Sequence, residues 1–335
     1  MPLRHLALAM LAAALLLPNG GARADDLPRI RIGYVVTPPE LQPILFAKPE
    51  IARHLGKTYS YEAVHFQATP AMITALASGD LDVVPFTFPT LAIAIQNAGI
   101  KDLRVFADEF QDGYGDNYSE HYLVLKDSGI AKVEDLKGKV VATNGIGSGV
   151  DMAMRTMLKK HGLEDPRDYS TVEVSFPNMK AVLLEGKVSL ISEPVVFAYD
   201  PELQQKARLL FTEKEAMGHS QFAIWAARTP YIQKNRAALV DFMEDTLRAL
   251  RWFYDPKNHD EAVGIVAQFA KQPPERLGWV FTKQDVYRAP DGIPDLKALQ
   301  SNINTQKELG FLKEDLDISQ YVDLSMVKEA NQRLK

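Results

Sequence analysis

The segment MITALASGDLDVV (Met72–Val84) is answered 107 residues later by MKAVLLEGKVSLI (Met179–Ile191). Each copy opens with Met and sets apolar residues at helical spacing, Met72, Leu76 and Ala77 in the first and Met179, Leu183 and Leu184 in the second. Each then breaks at a glycine, Gly79 or Gly186, and resumes as a short alternating strand. A β-rich run ending in Phe precedes both, SYEAVHF up to Phe66 and STVEVSF up to Phe176. Strand, loop, helix and strand make a βαβ unit, right-handed in nearly all proteins. A chain carrying that unit twice predicts two similar α/β lobes, with a ligand crevice between them.

At 335 residues with 46% hydrophobic and 24% charged content, the chain has material for two moderate cores and no disorder signature. Its N-terminus has Arg4 and His5, an apolar run from Leu6 to Leu17, and small residues at Ala22 and Ala24. That pattern predicts a signal peptide over residues 1–24, cleaved after Ala24; the apolar run is well short of the ~20 residues that span a bilayer. The absence of Cys excludes a lipoprotein anchor, disulfides, thiolate catalysis and Cys-ligated zinc. The net charge is −5, and loss of Arg4 and Arg23 with the signal would make it two units more negative, which argues against nucleic acid. An export signal without a lipid anchor predicts a soluble monomer in the periplasm.

Along the chain, RIRIGYVV (Arg29–Val36) reads as a strand, followed by the turn Thr37-Pro38-Pro39 and a helix from about Glu40 to Leu55. A helix from about Thr90 to Asn97 and a strand around Leu103–Ala107 follow the first repeat. Period is lost at Phe110–Tyr122, read as the first crossing between lobes. The second repeat lies in a lobe running to about Thr212, and Glu213–His219 leads back into the strand SQFAIWAAR (Ser220–Arg228). Helices are expected at Ala237–Tyr254, Glu261–Ala270 and Asp295–Leu309. These readings divide the chain into a discontinuous first lobe, 25–115 with 220–335, and a second lobe, 116–219.

The most specific local signal is VVATNGIGSGVDMAMRTMLKKHG (Val140–Gly162), a strand that enters a helix through a Gly-rich loop. Ser148 is placed to cap the helix, with Asp151 positioned for a capping box. Free amides and the helix dipole there would favour an anion. Gly145, Gly147 and Gly149 do not match the dinucleotide fingerprint, and Ile146 and Val150 flank Ser148 where a nucleophile elbow needs Gly. The seven His show no metal spacing, so neither a metal nor a cofactor is expected. The ligand-lining candidates at strand tips and loops are Thr37, Gln42, Phe66, Gln67, Phe86, Thr87, Asn144, Gly147, Ser148, Asn178 and Glu193. Nearly all are neutral hydrogen-bonders or aromatics, so an anion would be held by amides and hydroxyls rather than ion pairs. Glu193, just before Pro194, is the one acid; it would meet a ligand amine or an internal cation, or stand as a solvated loop acid.

The motifs RIGY, LASGDLDVV, DSGI followed by VEDLKGKVVATNGIGS, LLEGKVSLISEP and NTQKELGFLKEDLDISQYVD run through most of the chain. In them it resembles the periplasmic substrate-binding proteins of ABC importers for nitrate, sulfonates, taurine and pyrimidine thiamine precursors, the NMT1/THI5-like group. The resemblance implies a two-lobed type II periplasmic binding protein fold, α/β in class with two interlobe crossings. It also implies a non-enzymatic solute carrier that works with an ABC permease and ATPase. Carried over, the loop at Thr37, the segment Phe86-Thr87, the Gly147-Ser148 loop and Glu193 would line the pocket. Two departures, the long acidic and aromatic loop Asp112–Tyr122 and Phe86-Thr87-Phe88 in place of small residues, point to a larger or aromatic ligand. The expected ligand is a small organic anion such as a sulfonate, with a pyrimidine or aromatic carboxylate as the alternative. A secreted hydrolase or a sensor-coupled binding protein are the readings from other classes.

Overall fold

The computed structural model describes residues 27–335; the expected signal peptide lies outside them. Ten strands form two sheets. In the first lobe β1 (Arg29–Tyr34) runs parallel to β2 (Ser60–His65) and β3 (Val83–Thr87), while β4 (Leu103–Asp112) and β10 (Ser220–Arg228) complete the order β2-β1-β3-β10-β4. In the second, β5 (His121–Leu125) lies between β8 (Ile191–Glu193) and β9 (Ala207–Thr212), and β6 (Val140–Thr143) pairs in parallel with β7 (Ser170–Glu173). A parallel bridge from Val141 to Leu190, just before β8, joins these two ladders. The second lobe therefore has the order β7-β6-β8-β5-β9, the same arrangement as the first. The duplication in the sequence is a duplication of the sheet.

The repeat units are helix, turn and strand in both places. Helix α1 (Ala71–Ser78) ends at Gly79 with φ 80°, and α4 (Phe176–Leu184) is followed by Gly186 at φ 68°. Both glycines sit in the left-handed region that a Cβ disfavours. Each helix crosses from an edge strand to the strand beyond its neighbour, as a βαβ unit requires. After β3 comes α2 (Phe88–Gln96), and after β6 comes α3 (Gly149–Lys160), whose stripe Val150, Ala153, Met154, Met157 and Leu158 is buried.

The stretch Glu40–Leu55 is not helical; it is a succession of turns. Its apolar residues Leu41, Ile44 and Leu45 are buried, but Pro43 and Pro49 deny it the amide donors and backbone freedom that a helix needs. Strand β4 is longer than expected and continues through Asp112, so Phe110, Gln111 and Asp112 are ladder residues paired with β10 and Tyr287. The chain leaves the first sheet through Gly113–Glu120 and returns through α7 (Glu213–Met217). Between these come α5 (Val195–Ala198) and α6 (Pro201–Lys206); after β10 come α8 (Thr229–Phe253), α9 (His259–Ala270), α10 (Leu296–Glu308) and α11 (Ser325–Arg333).

Two aromatic-rich cores hold the sheets. Phe86, Phe106, Trp225 and Phe242 pack in the first lobe, and Tyr122, Met154, Leu158 and Phe211 in the second. β3 is buried on both faces, and so is nearly all of β10, which explains why both read as near-continuous apolar runs. The tail of the chain also shapes the first loop. Arg288, buried beside Asp285, donates from Nη2 to the carbonyls of Pro38 and Pro39, each at 2.7 Å, and from Nη1 to the Tyr254 hydroxyl. Two carbonyls that no helix satisfies are thus held by one guanidinium.

Candidate functional site

A cleft of about 540 Å³ of empty space lies between the lobes. Val35, Val36, Pro39, Glu40, Thr69 and Thr87 line it from the first lobe; Asn144, Ser148, Gly149, Val150 and Phe176 face them from the second. The stacked rings of Phe110 and Phe222, 5.1 Å between centroids, form one wall, and Asp112 and Glu120 border it where the chain crosses over. Strand alternation decides which side chains arrive there. Thr87 points into the cleft and bonds to Thr69 and Thr90, 3.3 Å and 2.9 Å between hydroxyls, while Phe86, one residue before it, is fully buried in the lobe core.

The lobes are in contact around this cleft. Gln67 and Asn144 exchange two side-chain-to-carbonyl bonds at 3.2 and 3.3 Å, and the Thr90 hydroxyl donates to the Gly147 carbonyl at 3.1 Å. The Tyr199 hydroxyl of the second lobe donates to the Gln284 carbonyl of the first at 3.1 Å, and Tyr118, in the crossing segment, donates to the Glu193 carbonyl at 2.7 Å. The lobes also approach closely at the Gly-rich loop. A Cβ on Gly145 would stand 2.5 Å from Ala68 Cβ, one on Gly147 3.0 Å from Ile93, and one on Gly149 2.5 Å from the Phe222 ring. These glycines make room for the opposite lobe.

That finding changes the reading of the loop as an anion cradle. Its amides are mostly occupied by the chain's own carboxylates: Ile146 N–H donates to Glu173 at 2.7 Å and Gly147 N–H to Asp151 at 2.9 Å. Ser148 caps α3, accepting from Asp151 N–H at 3.3 Å, and donates its hydroxyl to Asn144 Oδ1 at 2.8 Å. Asp151 does not close a capping box, because its carboxylate turns to Gly147 N–H and to Arg155. An anion at this helix end would meet two carboxylates already in place.

Of the residues proposed from sequence, Thr87, Asn144 and Ser148 border the cleft. Thr37 is buried behind it with its hydroxyl unpartnered, and Phe66 packs against the first-lobe core. Gln42 lies inside that lobe, bonded to Glu109. Gln67 and Gly147 belong to the interlobe contact. Asn178 is exposed and bonds only to Ser175 at the start of α4. Glu193 is 0% exposed, and neither carboxyl oxygen has a hydrogen-bond partner, so it is not a solvated loop acid; the following Pro194 and Val195 line the cleft.

Sequence reading missed Glu40, Asp112, Glu120, Phe110 and Phe222. Burial pushes Glu40 up to about 8, although the amides of Val35 and Val36 bond to its carboxylate. Burial likewise carries Asp112 to about 7, against the opposing bonds from the Ser119 hydroxyl and Glu120 N–H. Glu120 is raised by burial and then by the charges of Asp112 and Glu193. Among the described residues, no Lys, Arg or His borders the cleft. The one signal for Asp112 and Glu120 was the aperiodic, acidic run Phe110–Tyr122.

The NMT1-like family model matches residues 23–267. No curated protein sequence matches the chain. Among solved structures it is similar to the alkanesulfonate-binding protein SsuA of Xanthomonas axonopodis pv. citri bound to MOPS, at 21% identity and a TM-score of 0.70, covering 88% of this chain and 98% of that one. The periplasmic nitrate-binding protein NrtA of Synechocystis PCC 6803 gives 16% identity and 0.69, with 92% and 90% covered. The desulfurization enzyme DszB gives 12% and 0.63, with 92% and 100% covered. At these identities the likeness is one of fold, shared by binding proteins and an enzyme alike.

Proposed function

The chain belongs to the NMT1-like family, and we propose that it serves there as a periplasmic solute-binding protein, capturing one small molecule between its lobes and delivering it unaltered to an ABC permease. The observation that carries this reading is a cleft bordered by both lobes, with direct hydrogen bonds between the lobes. Two segments alone, Gly113–Glu120 and α7, link the sheets between the first lobe and the second, the arrangement on which hinge closure is commonly built. Apolar walls from Phe110, Phe222, Phe176, Val35 and Val195 suit an organic body; a nitrate would leave them uncontacted.

The test is a thermal-shift screen of the purified mature chain against sulfonates, nitrate, aromatic acids, pyrimidines and organic amines. A ligand at ~100 times its Kd adds about 2.7 kcal/mol to the folded state, which raises Tm by several degrees. Small-angle scattering should show a smaller radius of gyration with that ligand than without it. Turnover of the bound compound by the pure protein would replace this reading with an enzymatic one.

A further inference from the structure

We infer that the solute this cleft takes is an organic cation, a protonated amine or amidine on an apolar body, rather than the organic anion expected from sequence. The inference rests on the solute-binding reading above and names its ligand class. Asp112, 2% exposed, and Glu120, 7% exposed, border the cleft, and Glu120 Oε1 has no hydrogen-bond partner. Glu40 borders it from the first lobe. Behind the wall Glu193 is fully buried with both oxygens unpartnered, and Glu213 is fully buried as well. A buried carboxylate without a partner is costly, and removing solvent by closing the lobes makes it costlier.

The cations nearest these acids are committed elsewhere. Lys214, at the start of α7, sends Nζ to the Gly115 carbonyl, and Lys180 is held by Asp200 and Glu202 at 2.9 and 3.5 Å. The His121 ring, beside Glu120 in sequence, is tilted against Tyr118, and burial shifts its pKa down, toward the neutral form. An anion in the closed cleft would face acidic side chains and no cation among the cleft-lining residues; a cation would supply the missing partner and draw the acids into their charged form. The Phe110 and Phe222 rings add aromatic faces on which a cation is favoured.

A metal ion fits less well. Among the described residues, the one group of three carboxylate or imidazole ligands that converges is His54, Asp241 and Glu244. That group lies on α8 and the loop before β2, and Arg333 and Arg248 already pair with its acids. The cleft acids border an open space without converging, which suits a multi-atom cation.

The test uses the full mature chain at pH 8 with shape-matched probes: benzylamine, tyramine and benzamidine against benzoate, 4-hydroxyphenylacetate and benzenesulfonate, with Mg²⁺, Ca²⁺ and Zn²⁺ chlorides as a third arm. The expected result is a Tm rise from the amines and none from the anions. Calorimetry on the best amine should then show affinity rising between pH 6 and 8, as the cation displaces the proton of Asp112. Glu120→Gln and Asp112→Asn should each weaken it at least about tenfold. Glu120→Gln keeps the side chain's shape, so its Tm without ligand should equal or exceed that of the wild type. A shift from the anions or the metals alone, or an unchanged affinity in Glu120→Gln, overturns the cation assignment and leaves solute binding standing. No shift from any probe, with an unchanged radius of gyration throughout, overturns both.

Discussion

Gly149→Ala separates folding from closure. Gly149 is the first residue of α3, and its φ is outside the left-handed region, so alanine fits the local backbone and improves helix propensity. Its Cβ, however, would stand 2.5, 2.8 and 3.1 Å from three carbons of the Phe222 ring, where ordinary contact needs roughly 3.4 Å or more. Phe222 cannot swing aside easily, because Phe110 stacks on it and the Phe88 ring meets it near 90°, at 83° between planes. The lobes must therefore part by roughly 1 Å or repack, at the ~1 to 3 kcal/mol typical of overpacked contacts. On the proposed hinge closure that cost falls on the closed state, so ligand Kd should rise about 5- to 150-fold. Melting of the ligand-free protein should fall little or not at all. Titration calorimetry with the compound giving the largest shift in the screen measures the first effect, and calorimetric melting the second. Scattering at saturating ligand should show a larger radius of gyration than wild type. Adding Phe222→Leu, which frees the ring volume, should recover part of the affinity. A Kd within twofold of wild type would refute the assignment of Gly149 to closure, as would a Tm drop as large as that of a core mutation.

Ser148→Ala removes the cap of α3 and should cost about 1 kcal/mol of stability; because both the donor and the acceptor of the Ser148 hydroxyl are satisfied within the loop, calorimetry should find ligand affinity changed by less than about threefold. Arg288→Met leaves the Pro38 and Pro39 carbonyls and the Asp285 carboxylate without their partner, and denaturant unfolding should report a loss of about 3 to 5 kcal/mol. Glu40 and Asp112 hold protons in the folded state up to about 8 and about 7, and Asp108 to about 6, each above its unfolded value. The folded state therefore binds more protons than the unfolded one, and stability without ligand should fall as pH rises from about 4 to 8. Glu40→Gln should flatten the upper part of that decline, measured by Tm across pH; a slope unchanged in the variant would refute the role given to Glu40.

The repeated helix-turn-strand at Met72 and Met179, and the alternation in RIRIGYVV and SQFAIWAAR, were enough to specify two βαβ-containing lobes, because helix period, strand period and glycine C-caps are local properties of the chain. The Ser148 cap was legible for the same reason. The prolines between Glu40 and Leu55 were legible too, yet the apolar spacing there imitated a helix, and it was packing against the sheet that buried those residues in turns. What the sequence could not show is which side chains meet across the lobes. Asp112 and Glu120 fall in a run with no period; the pairing of β4 with β10 carries Asp112 to the cleft, and the bond from Glu120 N–H to the Asp112 carboxylate brings Glu120 beside it. The three glycines looked like an anion cradle until Ala68, Ile93 and Phe222 were seen opposite them, while Glu173, far along the chain, took one of the loop's amides. Local periodicity sets the elements; the charge and shape of a site between two lobes depend on contacts between residues distant in sequence, which tertiary packing alone decides.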